Sequence, residues 1–407
     1  MLRTIEDAET DLSSDSQIFR EMSKLGYRQF NWQSNNWRGA KYVRWWSIFS
    51  DAELSNAFER IVGTTLQKFL TIGVVWNEKF NQQWFTESFR NPSVNGITNA
   101  DISATISAIA APVEVLIVES QKVVSTSKST AHRRGILRQT PLISFQNDEK
   151  IFYMRPVQML LAWRLSSGLY YDVIGDREVI DNNLIGSGFE SYVRDLWGEI
   201  FPERHVCRDI PYGSKAKPRR TPDVLISEGR KLTHVIECKV AKLPLAVQTS
   251  SEDSSARRRV IDDVAKGVKQ VCGFLEALSK GIPELNLEIA SPCVPIVVTL
   301  DDWLFFGDDM KKEVFSSAQK KLEEDHLTGA ISRLNDVVLC TVEEMEMLLT
   351  VFDIPGIEGA LQHALLPDHR GLPLSAVLSS YKSGRLAKPR NPLGHRFGDF
   401  LRPVGTS

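Results

Sequence analysis

Two short runs of the sequence carry the residue types that metal-assisted chemistry needs. Asp223 follows a proline in T-P-D-V-L-I, and 14 positions later Glu237 lies in V-I-E-C-K-V, two residues before Lys239. Two carboxylates at hydrogen-bond distance repel each other unless a proton or a cation lies between them. Oxygen ligands with few nitrogen or thiolate neighbours favour Mg²⁺ over zinc. We therefore expect Asp223 and Glu237 to hold Mg²⁺, with Mn²⁺ as its substitute, and Lys239 to assist phosphodiester hydrolysis.

The local structure needed to bring these residues together is a β-hairpin. Successive side chains of a strand point to opposite faces, so Glu237 and Lys239 share one face and Cys238 takes the other. The turn sequence S-E-G-R separates this strand from the strand that Asp223 opens. Such a hairpin brings Asp223 close to Glu237. The alternative is a surface hairpin on which Glu237 and Lys239 form an exposed ion pair.

The elements around the hairpin predict an α/β sandwich. Apolar periodicity and turn residues indicate a helix, three strands, a helix and a strand, in that order. The order is typical of an α/β layered domain. The predicted ranges are a helix at 187–199, strands at 205–211, 221–227 and 232–240, a helix at 259–279, and a strand at 293–300.

Motif and element order together resemble the PD-(D/E)xK phosphodiesterase superfamily. The resemblance covers residues 181–300 and implies a restriction-endonuclease-like αβββαβ core. It also implies that Asp223 and Glu237 are metal ligands, that the backbone carbonyl of Cys238 is a third ligand, and that Lys239 is the catalytic lysine.

Two further residues are candidates because of their position relative to the motif. Many members of the superfamily carry an active-site acid on the preceding helix, which implies a catalytic and metal-binding role for Glu190. The alternative is a capping box, in which Ser187 and Glu190 only satisfy the helix N-terminus. On the following helix, the resemblance implies a site role for Gln270, and the alternative is a solvated glutamine.

Basic residues are concentrated around the motif. Between residues 205 and 271 there are 14 Lys and Arg against 8 Asp and Glu, a charge of +6, whereas the whole chain carries −2. This local charge predicts contact with a nucleic-acid backbone, and the alternative is a set of solvated charged runs. The candidate nucleic-acid-binding residues are Lys215, Lys217, Arg219, Arg220, Arg257, Arg258 and Arg259.

The chain is long enough for two or three domains. We predict a mainly helical N-terminal domain over 1–180, which recognises substrate or a partner. The α/β core over 181–300 follows, and residues 301–407 extend this core and end in a basic tail, which is either a phosphate contact or a solvated terminus.

Other classes of protein lack support in the sequence. Five scattered cysteines without a CxxC pair indicate neither a zinc knuckle nor a disulfide framework. The sequence has no nucleotide-binding P-loop, no GxGxxG after a strand and no GxSxG. The acidic start of the chain and the lack of an 18-residue apolar run predict a cytoplasmic protein without a membrane partner.

The sequence thus predicts a Mg²⁺-dependent endonuclease that hydrolyses DNA, with RNA as the other substrate class. The resemblance suggests a prokaryotic restriction or anti-phage defence effector. Because double-strand cleavage usually needs two active sites, we expect a homodimer or a multi-subunit defence complex. The competing hypothesis is a catalytically inactive nucleic-acid-binding or assembly subunit that keeps the nuclease fold.

Overall fold

The computed structural model describes residues 40–87, 96–126, 136–174, 182–214, 218–241, 254–300 and 308–401. These residues form a mixed α/β protein with two mixed sheets of four and five strands. They divide into two compact units: unit 1 holds the described residues up to Gly188 and from Leu393 onward, and unit 2 holds Phe189–Pro392. Unit 2 thus contains the predicted α/β core from Phe189 onward and most of the predicted extension, while the three-part division itself stays a prediction.

Unit 1 is mainly helical, as the sequence predicts. Its elements up to residue 174 are α1 (Ala40–Ile48), α2 (Ala52–Val62), α3 (Leu66–Gln82), β1 (Phe85–Glu87), α4 (Asn99–Ile109), β2 (Ala110–Pro112), α5 (Val113–Thr126), β3 (Leu142–Asn147), β4 (Lys150–Met154), α6 (Gln158–Arg164) and α7 (Leu169–Ile174).

The apolar periodicity between residues 51 and 70 spans two helices. α2 ends at Gly63, whose φ of 83° lies in the left-handed region that glycine adopts without a steric penalty. The hydroxyl of Thr65 then caps α3 by accepting the backbone N–H of Lys68. The apolar residues therefore keep their helical spacing across the break between α2 and α3.

A four-stranded sheet of unit 1 was not predicted. Its strand order is β1-β4-β3-β2, with β2 and β3 parallel and the other pairs antiparallel. β1 and β2 have three residues each, too few for an alternating pattern to be recognised. The sequence of residues 151–174 favours a strand followed by a buried helix; the strand is the end of β4, and two helices, α6 and α7, follow it.

Unit 2 begins within a helix that continues from unit 1. The elements from this helix onward are α8 (Asn182–Ile200), β5 (His205–Arg208), β6 (Pro211–Tyr212), β7 (Arg219–Arg220), β8 (Val224–Glu228), β9 (Lys231–Lys239), α9 (Ser254–Ser279), β10 (Glu288–Thr299), α10 (Asp308–Glu324), α11 (Thr328–Ile331), β11 (Val338–Thr341), α12 (Val342–Val351), α13 (Ile354–Ala364) and α14 (Leu374–Ser380).

The five-stranded sheet of unit 2 has the order β11-β10-β9-β8-β5. β5, β8 and β9 are antiparallel neighbours, and β9, β10 and β11 run parallel. In chain order, α8 is followed by the sheet strands β5, β8 and β9 and then by α9 and β10. The short β6–β7 ribbon is inserted between β5 and β8.

Apolar stripes on both helices of the predicted core are buried. On α8, Phe189, Val193 and Leu196 follow one another at helical spacing in the sequence, and each is at most 2% exposed. The apolar residues at helical spacing on α9 are buried as well: Val260, Val264, Val268, Val271 and Leu275. Burial of these side chains supplies the apolar stabilisation that fixes both helices on the sheet.

The basic segment after residue 382 was expected to be a solvated terminus or a phosphate contact, but part of it packs on the protein. Arg385 lies over the ring of Phe352, and Nε of Arg390 donates to the carbonyl of Leu349. Farther on, α15 (Gly394–Leu401) packs against α1 and α3 of unit 1. No helix in the described part of the chain is long and apolar enough to cross a membrane.

Candidate active site

The β8–β9 hairpin brings the two motif carboxylates together. Val224 pairs with Ile236, and continuing this antiparallel register by one position sets Asp223 opposite Glu237. Gly229 makes the turn with a φ of 58°. The backbone N–H of Cys238 donates to Oδ2 of Asp223 at 2.7 Å, which fixes the aspartate against β9.

Glu237 and Lys239 lie on the face of the sheet that α9 covers. Nζ of Lys239 donates to Oε1 of Glu237 at 2.7 Å and to Oε1 of Gln270 at 2.8 Å. The side chain of Glu237 is only 2% exposed. The alternative of an exposed surface ion pair is therefore wrong, because the glutamate is buried in the sheet.

Gly267 makes room for these two side chains, and sequence reasoning missed it. A Cβ atom at this position would lie 2.9 Å from Cε of Lys239, 3.2 Å from Cγ1 of Val297 and 3.3 Å from Cγ of Glu237. The sequence could have indicated this role, because Gly267 is an isolated glycine inside an amphipathic helix. Such a glycine lowers helix stability and is often present because a neighbouring side chain needs the space.

The second carboxylate oxygen of Glu237, Oε2, is buried, and no described residue donates a hydrogen bond to it. A buried, unsatisfied carboxylate oxygen is costly unless a proton or a cation occupies the position next to it. The carboxyl group of Glu237 interacts electrostatically with Asp223, Lys239 and Glu190, the other charged candidates of the site.

Glu190 lies inside α8, near Asp223. The helix begins at Asn182 rather than at residue 187, so Ser187 and Glu190 are interior and cannot form the capping box. The negative charge of Asp223 is one of the causes that raise the pKa of Glu190, which indicates that the two carboxyl groups are neighbours. The first turn of the helix was not predicted, because its sequence N-N-L-I-G is polar and contains a glycine.

Burial, together with the charge of a neighbouring acid, raises the pKa values of all three carboxyl groups. Burial first, and then the charge of Asp223, raise the pKa of Glu237 to about 8 and that of Glu190 to about 7. Burial also raises the pKa of Asp223, although the Cys238 N–H and Lys239 oppose the shift. Burial alone would lower the pKa of Lys239, but Glu237 outweighs it and raises that pKa. The site therefore has an excess of negative charge that favours a bound cation.

Asp209 is a further acid near the site that the sequence analysis did not single out. Its carboxylate forms an ion pair with Arg220. Its charge contributes to raising the pKa values of Glu190 and Asp223. The sequence did contain a signal for Asp209. It directly follows β5, and Asp223 directly precedes the neighbouring strand β8, so both acids lie at the same edge of the sheet.

Several of the candidate basic residues are exposed, and two of them form ion pairs that are seen in the structure. Arg219, Arg258 and Arg259 are exposed. Arg220 is exposed but paired with Asp209, and Arg257 forms an ion pair with Glu313 at 2.7 Å. The remaining two candidates, Lys215 and Lys217, lie outside the described residues.

The predicted ligands do not form a complete metal cage by themselves. In the described ranges, no group of three or more His, Cys, Asp or Glu side chains is arranged to hold a metal ion. The thiol of Cys238 is buried, and a role for its backbone carbonyl stays a prediction. His234 is buried and packs against Trp197 and Phe201, so it belongs to the core.

Comparisons with protein-family models, with curated proteins and with solved structures found no significant match to this chain.

Proposed function

We propose that this chain is a Mg²⁺-dependent endonuclease of the PD-(D/E)xK type that hydrolyses DNA, with a restriction-endonuclease-like αβββαβ core. The observation that carries the proposal is the buried carboxylate of Glu237. One of its oxygens accepts from Lys239, and the other has no partner among the described residues. A glutamate in that state, beside Asp223 and a lysine, is suited to a cation and a phosphate rather than to structural stability alone.

The donor set fits Mg²⁺, with Mn²⁺ as a substitute. Asp223 and Glu237 would be its carboxylate ligands, with the Cys238 carbonyl and Glu190 as further oxygen donors. Mg²⁺ keeps several waters and is usually held by one or two carboxylates and the phosphates of a substrate. The lack of a cage of three or more side chains in the described residues is therefore compatible with this ion. When bound, the ion would polarise a phosphoryl oxygen and lower the pKa of a coordinated water.

The protein side chains have separate roles in the proposed reaction. The ammonium of Lys239 orients the attacking water and neutralises the charge that develops on the phosphoryl oxygens. Gln270 holds this ammonium in place through its 2.8 Å hydrogen bond. Gly267 leaves the space that the stem of Lys239 occupies. Glu190 supplies a third carboxylate near Asp223.

A nucleic acid, with DNA as the proposed class, suits the site because cations lie on two elements close to it in sequence. Arg219 on β7 precedes Asp223 by four positions, and Arg258 and Arg259 are near the start of α9, which carries Gln270. Lysine and arginine contacts to phosphates position a nucleic acid without reading its sequence. A restriction or anti-phage effector that cuts both strands would act as a homodimer or within a larger defence complex.

A plasmid-cleavage assay with two lysine variants of β9 tests the proposal. Lys239→Ala removes the lysine that contacts Glu237, whereas Lys231→Ala removes an exposed lysine at the other end of the same strand. Wild type and Lys231→Ala should cleave supercoiled DNA in Mg²⁺ or Mn²⁺ and lose activity in EDTA. Lys239→Ala should be slower by about 10²–10³-fold, as for loss of one electrostatic stabiliser of a transition state.

Two outcomes would contradict the proposal. Intact plasmid after incubation of the wild type with either metal would favour the inactive nucleic-acid-binding subunit. Equal cleavage by Lys239→Ala and Lys231→Ala would show that the hydrolysis comes from elsewhere. A structured RNA tested in parallel distinguishes the two substrate classes.

A further inference from the structure

The β6–β7 ribbon leaves the sheet next to the candidate active site. Two hydrogen bonds close its base. The backbone N–H of Thr221 donates to the carbonyl of Ile210 at 3.0 Å, and the backbone N–H of Ile210 donates to Oγ1 of Thr221 at 2.9 Å. Thr221 is buried and precedes Asp223 by two positions. The base of the ribbon is therefore fixed to the segment that carries the aspartate.

The ribbon also packs on α9, the helix that contributes Gln270 to the site. The rings of Tyr212 on β6 and Phe274 on α9 lie 6.1 Å apart in an edge-to-face arrangement. Phe274 follows Gln270 by four positions, so both residues lie on the same side of the helix. These contacts hold β6, and with it the paired strand β7, beside the site.

Arg220 on β7 is bound to Asp209 at this edge of the sheet. Nη1 of Arg220 donates to Oδ2 of Asp209. In the β5–β8 ladder Arg208 pairs with Val224, and one further step of this register sets Asp209 opposite Asp223. Residues that are directly opposite in an antiparallel pair share a face of the sheet. The ion pair thus brings a guanidinium to the level of Asp223.

Glu190 on α8 is a second acid within electrostatic reach of this guanidinium. Burial, followed by the charges of two neighbouring acids, raises the pKa of Glu190, whereas the charge of Arg220 opposes this shift. The side chain of Arg220 is nevertheless 70% exposed. A ligand that enters the site from solvent can therefore reach the guanidinium.

A guanidinium in this setting suits a phosphate. It carries five N–H donors in a planar fork that matches the oxygens of a phosphate. The bond to Asp209 restricts a long side chain, so less conformational entropy is lost when the phosphate binds. The alternative is an ion pair that serves only the ribbon, and exposed pairs of that kind contribute little to stability.

We propose that Arg220 binds a phosphate of the DNA strand that enters the active site, and that Asp209 is a positioning residue that orients its guanidinium. This role rests on the proposed nuclease function, since it names a substrate contact of the same site. Asp209 acts only through Arg220, because its own charge has the same sign as that of the phosphate.

The salt dependence of DNA binding tests the phosphate contact. Fluorescence anisotropy of a short labelled duplex gives the affinity of the full-length chain, with Ca²⁺ in place of Mg²⁺ because Ca²⁺ also binds carboxylate oxygens. Each phosphate contact contributes about 0.9 to the slope of log K against log salt concentration. Arg220→Ala should reduce the slope by about that amount and weaken binding by about tenfold or more. Arg220→Lys keeps the charge and should keep the slope.

A second exposed ion pair of the same sheet provides the control. Arg230 and Glu288 form an ion pair at 3.2 Å, and both side chains are 61% exposed. Arg230 lies at the turn of the β8–β9 hairpin, at the opposite end of β9 from Lys239. Arg230→Ala and Glu288→Gln should therefore leave the slope and the affinity unchanged.

A double-mutant cycle tests the positioning role of Asp209. Asp209→Asn removes a negative charge near the DNA, which by itself strengthens binding. Because Asp209 orients Arg220, the substitution should instead weaken binding, although by less than Arg220→Ala does. In the Arg220→Ala background Asp209→Asn should not weaken binding further. Stronger binding of Asp209→Asn in both backgrounds would overturn the positioning role.

Three results would overturn the phosphate contact: an unchanged slope in Arg220→Ala, an equal change in Arg230→Ala, or no DNA binding by the wild type. Plasmid cleavage in Mg²⁺, measured in parallel, separates this contact from the nuclease function. Cleavage by the wild type without an effect of Arg220→Ala on the slope contradicts the contact alone. The expected change of slope without any cleavage contradicts the nuclease alone. Urea unfolding of each variant shows whether weaker binding reflects a loss of fold.

Discussion

Replacing Gly267 by alanine tests whether the position of Lys239 controls phosphodiester hydrolysis. The added Cβ would lie 2.9 Å from Cε of Lys239, and ordinary contact begins near 3.4 Å. The lysine must therefore move by about 0.5 Å away from α9. Nζ of Lys239 is held at 2.7 Å from Glu237 and 2.8 Å from Gln270, so both hydrogen bonds are disturbed.

The expected result is a loss of rate without a loss of fold. Misplacing a catalytic group by 1 Å can cost about 100-fold, so half that displacement should lower the rate about tenfold. Alanine is favoured over glycine in a helix interior by about 0.5–1 kcal/mol, which offsets the local crowding. We therefore expect Gly267→Ala to unfold in urea near the wild-type midpoint.

Gly198→Ala is the matched control for this experiment. Position 198 is also helical, on α8, and an added Cβ there meets nothing within 4 Å. This variant should gain the helix stabilisation of about 0.5–1 kcal/mol and keep full activity. Initial rates on plasmid DNA at saturating Mg²⁺ compare the three proteins. Wild-type activity in Gly267→Ala would refute the inference that the space beside Lys239 matters.

Three other predictions concern single side chains. Gln270→Ala should lower the rate with little change in stability, because it removes only the exposed partner of Lys239; an unchanged rate would argue against a positioning role. Tyr192→Phe removes the 2.7 Å bond to the buried carboxylate of Glu346, so urea unfolding should show a loss of about 1–3 kcal/mol, and no loss would contradict the burial of this bond. Burial lowers the pKa of His234 to about 3, so the unfolded chain binds one more proton below pH 6.5 and stability is lost as the pH falls towards 3. The slope between pH 6 and 5 should be smaller in His234→Phe by up to about 1.4 kcal/mol per pH unit, and equal slopes would contradict the buried neutral imidazole.

The hairpin could be predicted because its signals are local. Alternation puts Glu237 and Lys239 on one face whatever the fold around them, and a short turn fixes which residues of the two strands meet. The stripe on α9 is equally local, and it left Gln270 off the apolar side. The order of helices and strands around the hairpin was predicted from the same local spacing of apolar residues.

Features that depend on tertiary contacts could not be predicted in the same way. The space that Gly267 leaves is defined by Lys239, which is 28 positions away in the sequence. The unpaired oxygen of Glu237 becomes visible only when its neighbours are known. The first turn of α8 has a polar, glycine-containing sequence with no periodic stripe, so the helix was predicted to start five residues late and a capping box was considered for Glu190.

Binding of Mn²⁺, measured by electron paramagnetic resonance, tests the central claim most directly. Glu237→Gln replaces one of the two proposed carboxylate ligands, and Glu228→Gln is the control on the same hairpin, where the side chain is 72% exposed. Wild type and Glu228→Gln should bind Mn²⁺ with the same affinity. Glu237→Gln should bind Mn²⁺ more than about tenfold more weakly. Mutating a residue that only hydrogen-bonds a metal ligand typically lowers metal affinity by about that factor, and replacing a ligand should lower it further. Equal affinity in all three proteins, or no binding by the wild type, would contradict a metal site at Asp223 and Glu237.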